Sequence, residues 1–345
     1  MDKNVNLARM RQKKWGVMVH FLEGLQNNPA SPTNDNVGVT SWDELVNGVD
    51  VDNVAKQLKE MNAGWLLITL CQGQKYMIAP NKTYDGIIGA RAGEACSTRD
   101  LPFDLYYALK KYDIDLYLYF TNDGPHFDEI AGRAMGYYSK DETPPLTEKY
   151  LTNWSAVLKE YAERYKGKVK GWWIDGCYQT KGCSDETLKY YNDVLKSADP
   201  NYLVAYNDGN AIGTVLEKNE RYDINGPITQ ETKVEIYSAY KYDDYTPGEV
   251  LDFMMYPSPE RHSNAQWHIL SPLSGDGAWG CGWAKGDVKY SEEYFSYYLD
   301  KVWKNGGVVT VEMGLKRSGD FFKPQKRFMQ KITDNLIKTN KGEKQ

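Results

Sequence analysis

A chain of 345 residues is long enough for one large barrel or two medium domains. A hydrophobic share of 41% supplies a sizeable core, and a net charge of -5 argues against nucleic acid or an anionic membrane as the main partner. The 27 tyrosines and 10 tryptophans are high counts, but aromatic faces stack on sugars and also fill cores, so composition alone leaves carbohydrate binding open.

Residues 1–14 are polar and predict a lead-in helix, and Trp15–Phe21 a first strand with His20 near its end. Clustered Asn, Pro, Ser and Gly make 22–49 a long loop. Val54, Leu58 and Met61 recur at helical spacing before the apolar strand Trp65–Leu70. A loop over 71–97 precedes a helix marked by Leu101, Leu105, Leu109 and Tyr112, with Pro102 tolerated in its first turn. Ile114–Phe120 is the next strand and 121–145 the next loop. Leu151, Trp154, Leu158, Tyr161 and Tyr165 share one helical face. That helix leads into Lys168-Val-Lys-Gly-Trp-Trp-Ile-Asp-Gly176, a buried strand ending on a carboxylate.

Ser184 caps a helix carrying Leu188, Tyr191 and Leu195, and Tyr202–Tyr206 follows as a strand. Residues 207–290 are less regular, with candidate strands at Phe253–Tyr256 and Gln266–Leu270. Ser291–Trp303 reads as helix, Val308–Glu312 as strand, and a closing helix carries Phe328, Ile332 and Leu336. Strands alternating with helices imply a parallel sheet. About eight of them over this length predict a (β/α)8 TIM-type barrel, expected as one domain over 1–345 with no C-terminal β-sandwich.

The five cysteines are odd in number and lack Cys-x-x-Cys, so neither a disulfide framework nor a structural zinc site is supported. None of the four histidines shows metal-binding spacing, and no metal or organic cofactor is implied. No run of 18 apolar residues is present to span a membrane. The opening Met1-Asp-Lys-Asn4 lacks the apolar core of a signal peptide, which leaves the compartment open, as the oligomeric state is. Gly275-Asp-Gly-Ala-Trp-Gly280 matches G-x-G-x-x-G but lies late in the chain, away from any opening βαβ unit. A tight loop presenting Trp279 is the better reading.

The chemistry therefore falls to carboxylates. In an α/β barrel the C-terminal strand ends carry the site, and Asp175 stands at such an end beside Trp173. Glycosidic cleavage needs two carboxyl groups, one as nucleophile or base and one as proton donor. Asp175 is the nucleophile candidate, and Glu249, Glu260 and Glu312 are the donor candidates. Spacing does not choose among them. His20 is expected to face the same mouth.

In their order along the chain these residues resemble the α-L-fucosidase family of retaining glycoside hydrolases, over roughly residues 13–338. Lys14-Trp-Gly-Val-Met-Val-His20 resembles that family's K-F-G-I-F-I-H strand, and Arg99-Asp-Leu101 its R-D-L segment. Gly171-Trp-Trp-Ile-Asp-Gly176 is similar to its W-F-D-G nucleophile strand, the most specific match. Asp244-Tyr-Thr-Pro-Gly-Glu249 resembles D-Y-x-T-P-E, Ala278-Trp-Gly-Cys281 resembles S-W-G-Y, and Asn305–Gly314 resembles N-G-N-L-L-L-N-I-G.

The departures are specific. The family's K-H-H-D-G-F stretch is Cys71-Gln-Gly-Gln-Lys-Tyr76 here, with Gln72 or Gln74 in place of paired histidines. Trp267-His268 stands where the family has W-E, and Glu312 replaces an Asn. The resemblance implies an exo-acting retaining glycosidase on an oligosaccharide or glycoconjugate. In it Asp175 attacks, Glu260 or Glu249 donates the proton, and His20, Gln72, Trp173, His268, Trp279 and Glu312 surround the sugar. The departures keep two alternatives in view: a glycosidase for a different α-linked sugar, and a non-catalytic carbohydrate-binding barrel.

Overall fold

The computed structural model describes residues 4–139, 145–209, 212–217, 232–250, 252–256, 265–275 and 283–342. Its strands are β1 (Trp15–Val19), β2 (Trp65–Thr69), β3 (Asp115–Thr121), β4 (Val169–Asp175), β5 (Leu203–Tyr206), β6 (Ile212–Glu217), β7 (Thr232–Tyr237), β8 (Met255–Tyr256), β9 (His268–Pro272) and β10 (Val308–Glu312). Seven form one parallel sheet in the order β5-β4-β3-β2-β1-β10-β9. Helices connect its strands, which makes a curled, TIM-like α/β architecture. The other three strands form a second sheet, β6-β7-β8, in which β6 and β7 are antiparallel. The expected strand at Phe253–Tyr256 is thus corrected: Met255 and Tyr256 pair with β7, outside the parallel sheet.

The strands carry apolar residues on both faces, as a parallel sheet covered on both sides requires. Val17, Leu66, Ile68, Leu118, Trp172 and Val204 pack outward against the helices. Their sequence neighbours Met18, Leu67, Tyr119, Trp173 and Leu203, with Leu270, form a separate inward cluster. Aromatic bulk on the inner face needs room. A Cβ on Gly16 would stand 2.3 Å from the Trp65 ring, so only glycine fits beside that indole.

Between β5 and β9 runs a segment without regular strand geometry. Asp244 N–H donates to the Val204 carbonyl at 2.8 Å, and Gln266 N–H donates to the Asp244 carbonyl at 2.9 Å. Leu270 N–H donates to Gly248 O at 2.8 Å, and Val250 N–H to Leu270 O at 2.9 Å. Pro247 supplies no donor, and Gly248 has φ +63°, so the ladder is interrupted between its two ends. This interruption is why the parallel sheet counts seven strands where about eight are expected.

The expected helices form, with polar caps closing their free N–H groups. Ser184 makes a capping box with Thr187, and Ser291 caps the helix at Glu292–Lys304. The lead-in helix Val5–Lys13 lies across the N-terminal ends of the strands: Asn6 Nδ2 donates to the carbonyls of Lys170 and Asn201. Among the described residues no helix is long and apolar enough to cross a membrane.

Candidate active site

Asp175 is the last residue of β4 and stands where a parallel sheet presents its chemistry. Its two oxygens are both held. The Tyr119 hydroxyl donates to Oδ2 at 2.5 Å, and Asn207 Nδ2 donates to Oδ1 at 2.7 Å. Burial, with Asp175 beside it, pushes the Tyr119 hydroxyl far up, so it stays a donor at any working pH. Asn207 follows the end of β5. Its N–H donates to Ile174 O at 2.7 Å and its carbonyl accepts from Cys177 N–H at 2.8 Å, which locks it against the exit of β4.

The same Asn207 Nδ2 also donates to Glu249 Oε2. One nitrogen shared by two carboxyl oxygens keeps those oxygens within two hydrogen-bond lengths, at most roughly 5.5 Å. Burial raises the Glu249 carboxyl well above the ordinary carboxylate range. The charges of Asp175 and Glu312 add to this, and the Asn207 bond only partly opposes it. The result is a pair in unlike surroundings: one carboxyl group held by two donors, and one buried carboxyl group whose surroundings favour its protonated form.

A second group lines the same mouth. His20 Nδ1 stands 3.0 Å from Glu312 Oε1, both side chains being buried. A carboxylate on Nδ1 holds the ring proton there and leaves Nε2 for a ligand. The His20 ring stacks on Trp283 at 4.2 Å and meets Tyr119 edge-on at 5.6 Å. Gln72 follows β2; its Oε1 is shut off from solvent and has no hydrogen-bond partner.

Two expected site residues are placed elsewhere. Trp173 lies one inward position below Asp175, 1% exposed, stacked on Tyr119 at 5.4 Å with its Nε1 donating to Pro247 O at 3.1 Å. It supports the floor of the site. His268 is the first residue of β9, four before the strand's mouth end at Pro272, and the structure does not bring it to the mouth. Trp65 Nε1 lies 3.1 Å from Thr310 Oγ1, which lies 2.7 Å from His268 Nε2, and Nδ1 stands 2.8 Å from Thr246 O. That chain is satisfied when His268 is neutral with its proton on Nδ1. Burial accordingly pulls its pKa down to about 4. Both ring nitrogens are used, so His268 is a structural residue where sugar contact was expected. Glu260 and Trp279 lie outside the described residues.

Tyr119, Asn207, Asp123 and Trp283 are the residues that sequence reading missed. Tyr119 was legible as an inward position of β3, and Asn207 as the polar residue where β5 ends. Trp283 follows Trp279 by four in the same glycine-rich stretch.

No protein-family model matches the chain, and no curated protein is similar to it in sequence. Solved structures do match in fold. An endo-fucoidan hydrolase from glycoside hydrolase family 107 superposes with a TM-score of 0.65 at 14% identity, covering 98% of this chain and 95% of that one. The α-L-fucosidase AlfC from Lactobacillus casei gives 0.64 at 15% identity, covering 98% and 100%. A family GH29 α-L-fucosidase from Bacteroides thetaiotaomicron gives 0.61 at 19%, covering 97% and 74%. The chain has an α-L-fucosidase-like fold across nearly its whole length.

Proposed function

We propose that this chain is a retaining glycoside hydrolase acting on α-linked fucose, with Asp175 as nucleophile and Glu249 as general acid and base. The observation that carries the reading is the shared Asn207 amide, which ties the Asp175 carboxyl to a buried carboxyl whose pKa is raised, at close range. A separation of about 5–5.5 Å suits double displacement, whereas inversion needs room for a water between the carboxyl groups.

In the first step an Asp175 oxygen bonds to the anomeric carbon. The bond from that carbon to the leaving oxygen breaks, and the leaving oxygen takes the Glu249 proton. Glu249, now ionised, accepts a proton from water as that water attacks the same carbon and releases Asp175. The donors from Tyr119 and Asn207 orient the attacking oxygen and stabilise the carboxylate when it leaves. His20 Nε2, Gln72 and the faces of Trp283 and Trp279 hold the sugar, and Glu312 fixes the His20 tautomer. Exo action is the mode that the family resemblance implies. Glu260 remains the alternative donor.

The segment Asp243–Val250, bonded to β5 on one side and β9 on the other, is read as the eighth stave of a closed barrel within a single domain over 1–345. The fold likeness to fucosidases and fucoidan hydrolases supports fucose as the sugar. A different α-linked sugar is the second reading, favoured by the unpartnered Gln72 where the family carries paired histidines. The burial that favours the protonated form of Glu249 beside Asp175 favours catalysis over a binding-only barrel.

The test is hydrolysis of an aryl α-L-fucoside beside a panel of other aryl glycosides. Turnover lost in Asp175→Ala, and restored to Glu249→Ala by azide with a good leaving group, is the expected result. Full activity of Asp175→Ala would sink the reading, and turnover of another glycoside alone would transfer it to that sugar.

A further inference from the structure

Asp123 lies two residues past the end of β3 and plays no part in the mechanism above. The turn that carries it is fixed: Asp123 N–H donates to Thr121 Oγ1 at 3.0 Å, and its carbonyl stands 3.0 Å from His126 Nδ1. Asn122, fully buried, donates to Gly176 O at 3.1 Å and accepts from the Tyr191 hydroxyl at 2.8 Å. This delivers the Asp123 carboxyl directly onto Gly176, the residue after Asp175. A Cβ on Gly176 would stand 2.7 Å from Asp123 Cγ, and Gly176 has φ +71°. Only glycine lets the Asp123 carboxyl lie against the backbone at this point, next to Asp175 in the chain.

The Asp123 carboxyl is incompletely satisfied. Oδ1 is closed to solvent and has no hydrogen-bond partner. One other atom beside Asp175 shares that state: Oδ1 of Asn207, a side chain with no exposure at all whose Nδ2 donates to Asp175. Buried polar atoms are almost always paired, so orphaned oxygens on two residues beside Asp175 call for donors from a ligand. Both are acceptors. The ligand that answers them is rich in hydroxyl groups.

We propose that Asp123 grips a ring hydroxyl of the sugar whose anomeric carbon meets Asp175, and so helps to determine which sugar is accepted. This rests on the assignment of Asp175 as nucleophile. Burial and the charge of Asp175 hold the Asp123 carboxyl up to about 7, against the pull of Lys181. Near neutrality it therefore serves as acceptor or donor, which suits a hydroxyl able to play either part.

The experiment is titration calorimetry of L-fucose and its monodeoxy analogues into the native protein, Asp123→Ala and Asp123→Asn. L-fucose is expected to bind Asp123→Ala 10- to 100-fold more weakly than native. Asp123→Asn keeps a carbonyl acceptor and recovers most of that loss. One monodeoxy analogue, weaker than L-fucose on the native protein, binds Asp123→Ala as well as L-fucose does. Thermal unfolding of both variants stays at or above native, because a largely desolvated carboxyl with one unpartnered oxygen is removed.

Equal binding by native and Asp123→Ala overturns the inference, as does the absence of any coupled analogue or of L-fucose binding altogether. Turnover separates the two levels. An active Asp175→Ala sinks the nucleophile, whereas Asp175-dependent turnover with an indifferent Asp123 sinks this inference alone.

Discussion

Truncating Asn207 to Ala removes the one donor that Asp175 and Glu249 share. The backbone bonds of Asn207 to Ile174 and Cys177 do not depend on its side chain, so the exit of β4 stays in place. A hydrogen bond to a charged group contributes about 1.5–3 kcal/mol net. At 1.36 kcal/mol per factor of ten, losing it from the attacking carboxylate lowers kcat/KM roughly 10- to 150-fold. The pH profile moves as well. The Asn207 bond favours ionised Glu249, against burial and the neighbouring charges of Asp175 and Glu312. Without it the Glu249 pKa rises further. In the proposed mechanism Glu249 carries its proton in the first step, so activity falls as pH rises through that pKa, and the basic limb of the variant shifts to higher pH. The assay is kcat/KM against pH on an aryl α-L-fucoside with a poor leaving group. A loss below threefold, or a basic limb that stays fixed or moves down, would refute the coupling of the two carboxyl groups through Asn207.

Tyr119→Phe deletes the second donor to Asp175 while keeping the ring on Trp173, so kcat should drop roughly 10- to 100-fold with KM near native. Trp283→Ala removes the face on which His20 stacks; steady-state kinetics should show KM raised about tenfold or more and thermal stability little changed. His268→Ala strands Thr246 O and breaks the bond from Thr310, which should cost about 3 kcal/mol in chemical denaturation and leave KM near native. The native His268 ionises near 4 when folded and near 6.5 when unfolded. The unfolded chain therefore binds more protons between those values, and stability falls as pH drops through that window. The variant should lose this part of the acid dependence.

The parallel sheet was legible because its strands are short apolar runs set between helices with a 3.6-residue period. Asp175 was legible because an acid closing such a run stands at the strand's mouth end. Side-chain alternation explains what was misplaced. Trp173 precedes Asp175 by two and shares its inward face one layer down, so it fills the floor and does not line the mouth. His268 opens its strand, and the opening residue of a parallel strand lies at the end away from the site. Glu249, the proposed acid, sits in a segment broken by Pro247 and Gly248, where neither strand nor helix period survives, so spacing left it level with Glu260 and Glu312. The expected long loops contain short helices at Trp42–Asn47, Lys82–Ile88 and Glu129–Met135. These are too short to show a period, and Ser41, Asn81 and Asp128 hold them by their caps.

The strand β1 pairs on one side with β2 and on the other with β10, Trp15 meeting Val309 across the second seam. On a ribosome that second partner emerges almost 300 residues later. Until then β1 offers an open row of amides and carbonyls to any strand that comes by. The lead-in helix waits too, since its Asn6 seals against carbonyls of Lys170 and Asn201. Loop closures this long make folding slow and its intermediates sticky. Yield during synthesis is therefore governed by how long β1 stays uncovered, and chains cut short before β10 should aggregate even with Asp175, Asn207 and Glu249 already made.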